Sequence, residues 1–257
     1  MRIAIITGAT SGMGREMAKI VLSKEKDFDE IWLIGRRENR LKVFERADKK
    51  KIVRLFPIDL LDNGQMKIFY EQLRDENPEI ALFIHAAGVG KMGAIEEISV
   101  EEAEQMVDLN VRSYVSLTGH LLPYMEKRGR MIFFASAAAF LPQPGFAVYA
   151  ASKAFVLSFV RSLRAEQGYR HLRITAVCPG AVDTEFLDHA ASEQEIPFYK
   201  KMVMAKADQV AKKAWKDNLS GKELSVYGPF MKGFALFTKI IPHRFILHFM
   251  GTRGDKE

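Results

Sequence analysis

Tyr149 and Lys153 stand four residues apart in Tyr149-Ala150-Ala151-Ser152-Lys153, a spacing that puts both on one helix face, one turn apart. A phenol beside an ammonium is a proton-transfer pair in outline. A free phenol ionises near pH ~10, too high for useful exchange at neutral pH, and a neighbouring cation favours the phenolate. Bringing it to about 7 needs roughly 4 kcal/mol of differential stabilisation, at about 1.4 kcal/mol per unit. The bland alternative is a solvated i,i+4 pair, so the weight of the pair rests on the elements that position it.

Arg2 to Thr7 reads as a short apolar strand, followed at once by Gly8-Ala9-Thr10-Ser11-Gly12-Met13-Gly14 and a helical pattern through Met17, Ala18, Val21 and Leu22. Strand, glycine turn and helix is the order of a dinucleotide site. Glycines let the backbone approach a pyrophosphate, which the helix N-terminus then holds. The other reading is a tight strand-to-helix connection. A second strand, Ile31 to Ile34, ends in Gly35-Arg36-Arg37. An acid there would accept from the adenosine 2′-hydroxyl and repel a 2′-phosphate, so two guanidiniums predict NADP(H). Their alternative use is to open the next helix, whose face includes Leu41 and Phe44.

A third strand, Ile52 to Pro57, leads to Asp59-Leu60 and a helix from about Asp62 to Glu76. Asp59 is placed to meet an adenine amino group or to cap that helix. The fourth strand, Ile80 to Ile84, runs into His85-Ala86-Ala87-Gly88, whose small residues allow close approach to a ribose or nicotinamide. His85 has no second metal-type ligand nearby and reads as a hydrogen-bonded structural histidine. Ser99-x-x-Glu102 is a capping box that opens one long helix through Met106, Leu109, Val111, Val115 and Leu122. Asn110 falls among its apolar positions, as a satisfied core group or a water-holding site residue. The fifth strand, Met131 to Ala135, delivers Ser136 to the crevice at the strand ends, where it can meet the Tyr149 helix. The sixth, Arg173 to Val177, delivers Pro179-Gly180-Ala181-Val182-Asp183-Thr184, a turn with backbone groups free to face the nicotinamide amide. A helix near Ala207 to Asn218 and a strand from Leu224 to Tyr227 complete the pattern.

With 257 residues, 48% of them apolar and 27% charged, the chain suits one soluble α/β domain. Its single cysteine, Cys178, leaves no internal disulfide and no cysteine metal cluster, and no metal is expected. The start, Met1 into Arg2-Ile3-Ala4-Ile5-Ile6-Thr7-Gly8, is too short for a signal peptide. A reducing, cytoplasmic location is the expectation. The net charge of +6 is spread in short clusters such as Lys49-Lys50-Lys51 and Lys212-Lys213. That describes a solvated face and not a nucleic-acid surface.

Together, Thr7-Gly8-x-x-x-Gly12-x-Gly14, Asp59-Leu60, Ala86-Ala87-Gly88, Asn110, Ser136, Tyr149-x-x-x-Lys153 and Pro179-Gly180-x-Val182-x-Thr184 resemble the short-chain dehydrogenase/reductase family in identity, order and spacing, across roughly residues 2 to 228. The resemblance implies a Rossmann-like, doubly wound α/β fold with a seven-stranded, mostly parallel sheet and helices on both faces. It implies Tyr149 as general acid/base, Lys153 on the nicotinamide ribose, Ser136 on the substrate oxygen and Asn110 supporting a water-linked proton path. Thr184 would contact the carboxamide, and Arg36 with Arg37 match NADP-preferring members. Two departures stand out. The family's usual Asn-Asn-Ala-Gly is His85-Ala86-Ala87-Gly88 here, and Ala135 replaces a frequent Ser before Ser136.

The resemblance also implies a substrate lid over about 185–206, where Phe186, Leu187, Phe198 and Tyr199 could line an apolar pocket. Residues 1–228 then form a single dinucleotide-binding catalytic domain. Residues 229–257 form an amphipathic extension with Phe230, Phe234, Phe237 and Ile241, then Phe245, Ile246, Phe249 and Met250, at helical spacing. Pro242 and the interspersed Lys232, Lys239, Arg244 and Arg253 argue against a membrane span. Packing on its own domain or an oligomer interface, shallow docking of 230–253 on an anionic membrane, and a lid over a lipid-like substrate are the open uses. The expected function is an NADP(H)-dependent oxidoreductase of an apolar carbonyl or secondary alcohol, working as a homodimer or homotetramer. The alternative is a non-catalytic NADP(H)-sensing or interaction protein on the same fold.

Overall fold

The computed structural model describes residues 1–45, 52–191 and 204–250. Six of the apolar runs form β1 (Arg2–Thr7), β2 (Glu30–Ile34), β3 (Ile52–Phe56), β4 (Glu79–His85), β5 (Met125–Phe134) and β6 (Arg173–Val177). Two short strands follow, β7 (Val182–Asp183) and β8 (Ala205–Lys206), and then β9 (Leu224–Ser225), shorter than the sequence suggests. The main sheet has seven strands in the order β3-β2-β1-β4-β5-β6-β9, every pairing parallel. An all-parallel sheet is covered on both faces, which is why Ile3 to Ile6 of β1 are all apolar and do not alternate.

Alternate residues of each strand serve opposite layers. Ile3, Ile5 and Trp32 join Phe69, Leu73, Leu117, Leu121, Val156 and Val160 on one face, from α3 (Asn63–Glu76), α5 (Ser113–Leu121) and α6 (Ala147–Glu166). Ala4, Ile6, Ile31 and Leu33 join Met17, Val21, Val210 and Ala214 on the other, from α1 (Gly12–Lys24) and α8 (Ala207–Leu219). Among the described residues the remaining α-helices are α2 (Glu38–Leu41), α4 (Val100–Val107), α7 (Glu185–Ala191), α9 (Pro229–Ile240) and α10 (His243–Met250). The chain reverses direction across the sheet between β1 and β4, whose ends align at Thr7 and His85. Parallel sheets open a ligand crevice at such a point.

The long helix expected after Ser99 is not continuous. The capping box of Ser99 and Glu102 is present, but α4 and α5 are separated by a π-helical turn over Asp108–Arg112 that contains Asn110. Asn110 grips the loop after β4 from inside this turn, and the Ser113 hydroxyl donates to the Leu109 carbonyl at 2.5 Å. Such bulges are found where a side chain must be placed out of helical register.

The C-terminal extension forms two helices, α9 and α10. On α9 the buried positions are Ala235 and Thr238, whereas Phe230 and Phe237 of the aromatic stripe point outward at 65% and 45% exposure. Among the described residues no helix is long and apolar enough to cross a membrane.

Candidate active site

The glycine turn is built by close approach. Gly8 adopts φ 69, and a Cβ on Gly14 would stand 2.2 Å from the Gly8 carbonyl oxygen. The first turn of α1 therefore lies directly on the end of β1. Ser11 is its N-cap but makes no side-chain capping bond, and the first turn carries no acid. Its backbone N–H groups are thus a donor set suited to a pyrophosphate. Ala86 and Ala87 back this turn from the end of β4, while Met13 packs partly buried behind it.

At the end of β2, Gly35 packs closely on the glycine turn: a Cβ there would lie 2.6 Å from the Thr10 methyl. Arg37 reaches back so that its Nη2 donates to Thr10 Oγ1 at 3.4 Å, and Arg36 lies 3.9 Å from Asp59. Asp59 is not the cap of α3: it accepts from the Leu61 N–H, and Asp62 caps the helix through Gly64 and Gln65. Leu60 packs partly buried against the core beside it. Both arginines lie at the β2 end, where a 2′-phosphate would be read. Arg37 also pairs with Glu185 at 2.8 Å, and Arg40 Nη1 meets both Glu185 oxygens, at 2.5 and 2.8 Å.

Tyr149, Lys153 and Asn110 are 6%, 4% and 0% exposed, and Ser136 is half-buried. A Cβ on Gly88 would sit 3.0 Å from Asn110 Oδ1 and 3.1 Å from Lys153 Nζ, so these side chains and the loop after β4 converge on one spot. Asn110 accepts from the Val89 N–H at 3.0 Å and donates to the Val89 carbonyl at 2.8 Å and to Ser152 Oγ at 3.1 Å. Ser136 caps its own turn through the Ala138 N–H, and the Pro179 carbonyl accepts from Ala137, tying the Ser136 and Pro179 turns together. Val182 is buried in β7, and the Thr184 methyl lies against Gly12. Gly180 is covered by Met231 of α9.

Lys153 lies over the Tyr149 ring and is held by the end of β5. Its ammonium donates to the Phe134 carbonyl at 3.1 Å and stands 5.7 Å from the Tyr149 ring centre. Burial pushes the phenol up to about 12, with hydrogen bonding to Ser136 pulling the other way, and brings Lys153 down to about 8. Dehydration is the largest cause of the shift in each group.

Sequence reasoning missed Tyr114, whose hydroxyl donates to the same Phe134 carbonyl at 2.8 Å and whose ring stacks on His85 at 3.8 Å. It sits four residues after Asn110, the only local signal it offers. His85 is fully buried and structural. Thr7 Oγ1 accepts from the Ala86 and Ala87 N–H groups, so its own proton goes to His85 Nδ1 at 2.9 Å. That leaves His85 Nε2–H facing Ser113 Oγ at 3.4 Å. Burial, with Lys153 nearby, lowers its imidazole to about 3. Thr7, His85 and Ser113 thus support the turn that the family's asparagines would occupy.

Phe146 stacks on Tyr149 at 4.3 Å and Phe186 approaches it at 5.5 Å. These rings make the surroundings of Tyr149 apolar, and Leu187 is buried in α7. Phe198 and Tyr199 lie outside the described residues, as does Arg253.

Residues 2–195 match the family model described as short chain dehydrogenase. The chain is 30% identical over 223 residues to sulfoacetaldehyde reductase 2 of Chromohalobacter salexigens, covering 81% of this chain and 85% of that one. It is 31% identical over 215 residues to serine 3-dehydrogenase of Rhizobium radiobacter, covering 80% and 84%. In fold it matches a short-chain dehydrogenase from Sphingobium yanoikuyae, solved in complex with NADPH, at a TM-score of 0.79 and 22% identity, covering 100% of this chain and 99% of that one. A parallel sheet reversing at a glycine turn, with Tyr149 and Lys153 buried beside it, thus comes with relatives of one kind, and the chain belongs to the short-chain dehydrogenase/reductase family of oxidoreductases.

Proposed function

We propose that this protein passes a hydride between NADP(H) and an apolar ketone, aldehyde or secondary alcohol, with Tyr149 as general acid/base. The observation that carries the reading is the convergence of Tyr149, Ser136, Lys153 and Asn110 at the ends of β4 and β5, beside the glycine turn. The bound nicotinamide supplies the hydride chemistry at its C4; everything else is the work of this chain.

The turn over Gly8, Thr10, Ser11, Gly12, Met13 and Gly14 holds the pyrophosphate, and Arg36 with Arg37 holds the 2′-phosphate. Asp59 and Leu60 border the adenine. Ala86, Ala87 and Gly88 offer backbone to the ribose, while Pro179, Gly180, Val182 and Thr184 frame the carboxamide. Lys153 holds the nicotinamide ribose. In reduction the Ser136 hydroxyl donates to the carbonyl oxygen and Tyr149 delivers its proton there; in oxidation Tyr149 takes it back. Asn110 supports the water-linked path that restores it. Phe146, Phe186 and Leu187 favour an apolar substrate. A relative named for aldehyde reduction, another named for alcohol oxidation and a neighbour solved with NADPH support this reading.

The test is a panel of ketones, aldehydes and secondary alcohols of rising chain length, assayed with NADPH, NADP, NADH and NAD. Turnover that rises with chain length and favours the phosphorylated cofactors is the expected result. NADPH binding without turnover across the panel would establish the sensor reading instead.

The proposal extends to assembly as a cytoplasmic homodimer or homotetramer, and to shallow contact of the extension with anionic lipid. Phe230, Leu236, Phe237, Ile240 and Phe245 are exposed among Lys232, Lys239 and Arg244, and residues 229–250 contain no acid. Sedimentation with phosphatidylglycerol vesicles, before and after deletion of the residues beyond Pro229, decides this: partitioning unchanged by the deletion removes the lipid role.

A further inference from the structure

Three consecutive residues at the start of α7 touch three parts of the site. The Thr184 methyl lies against Gly12 of the glycine turn. Glu185 clasps Arg37 and Arg40, 148 and 145 residues away in the chain. Phe186 covers the Tyr149 ring. Glu185 is thus the anion that meets both guanidiniums. Its carboxyl is held below its ordinary range by hydrogen bonds to Arg37 and then Arg40.

From this geometry we infer that Glu185 is a specificity-determining stand-in for the cofactor's 2′-phosphate. The phosphate displaces the Glu185 carboxylate from Arg37 and Arg40, and the exchange unlatches the segment whose next residue, Phe186, covers Tyr149. This rests on the NADP(H) reading above and adds how the chain responds to the phosphate.

Charge and exposure favour the exchange. The carboxylate brings one negative charge and is 43% exposed, with each arginine at 38%, so the ion pairs are solvent-screened and weak. A phosphate monoester brings nearly two charges and three acceptor oxygens, a better match to guanidinium forks. A cofactor lacking the 2′-phosphate has nothing to offer these arginines and leaves the clasp shut. Discrimination between the two cofactors is therefore reduced by the work of displacing Glu185, and the opening of α7 is tied to the cofactor that does it.

The experiment uses 2′,5′-ADP and 5′-AMP, which reach the adenosine end without touching the nicotinamide side, on the wild type, Glu185→Gln and Arg37→Ala. Affinities come from calorimetry and the mobility of residues 185–191 from hydrogen exchange. The expected result is that 2′,5′-ADP, unlike 5′-AMP, speeds exchange in α7 of the wild type. Glu185→Gln should exchange fast without ligand and bind 2′,5′-ADP about two- to fivefold more tightly, with 5′-AMP unchanged. A wild type that prefers 2′,5′-ADP and loses the preference in Arg37→Ala, while Glu185→Gln binds it equally or less well, overturns the exchange and leaves the NADP(H) reading standing. A wild type that binds both fragments alike overturns the cofactor reading and this inference with it.

Discussion

Tyr114 and Lys153 donate to one acceptor, the backbone carbonyl of Phe134, at 2.8 and 3.1 Å. The carbonyl is the last of β5, so the sheet itself anchors both side chains at the crevice. Because Tyr114 satisfies the oxygen independently, Lys153 is dispensable to the fold. Its burial is a cost, seen in the fall of its ammonium from 10.5 to about 8. Lys153→Met should therefore abolish turnover while raising the unfolding free energy at neutral pH by about 1–3 kcal/mol. Urea titration beside an NADPH assay reads both; a variant that is inactive because it is unstable would contradict the assignment.

Removing only the hydroxyl of Tyr114 has the opposite signature. Tyr114→Phe keeps the stack on His85 but leaves the carbonyl to Lys153 alone. A loss of about 1 kcal/mol is expected, as a lower urea midpoint at unchanged slope.

Tyr149→Phe deletes the proposed proton donor and little else, since the ring remains packed between Phe146 and Phe186. NADPH affinity by fluorescence titration should stay within about twofold, while kcat falls by about 10²–10⁴. Turnover near the wild-type level would remove Tyr149 from the mechanism.

Replacing Arg36 and Arg37 by Ala tests the cofactor reading. Charge-assisted hydrogen bonds contribute about 1.5–3 kcal/mol, so the KM for NADPH should rise at least about tenfold while that for NADH barely changes. Equal rises would show that the arginines merely shape the loop.

His85 makes stability depend on pH. Folded, its imidazole is neutral down to about 3; unfolded, it protonates from about 6.5 downward. The unfolded chain therefore binds the extra proton within that window, and stability rises with pH across it, complete above about 6.5 and falling as the medium is acidified toward about 3. His85→Asn should lose about 2 kcal/mol less than the wild type between about pH 7.5 and about pH 5, measured by urea midpoints.

Much of this arrangement is written locally. Apolar runs such as Ile3 to Ile6 read as strands, and Ser99 with Glu102 announces a helix start. The order of strand, glycine turn and helix also reads from neighbours in the chain. The family's spacing likewise named Ser136, Tyr149, Lys153 and Asn110, which do meet at one crevice. Those features depend on backbone periodicity and turn stereochemistry, which a short stretch of sequence carries whole.

Tertiary contact decided the rest, because it joins residues whose separation hides the pairing. The π turn at Asn110 answers to Val89, 21 residues earlier. Lys153, which shares a helix face with Tyr149, is also held by the end of β5. Glu185 finds Arg37 across 148 residues. The stripe of Phe230 and Phe237 has the period of a buried face and still points outward, since periodicity defines a helix face but not what lies opposite. Burial then sets the proton affinities: how dry Tyr149, Lys153 and His85 become depends on the packing of the whole domain, which no local pattern encodes.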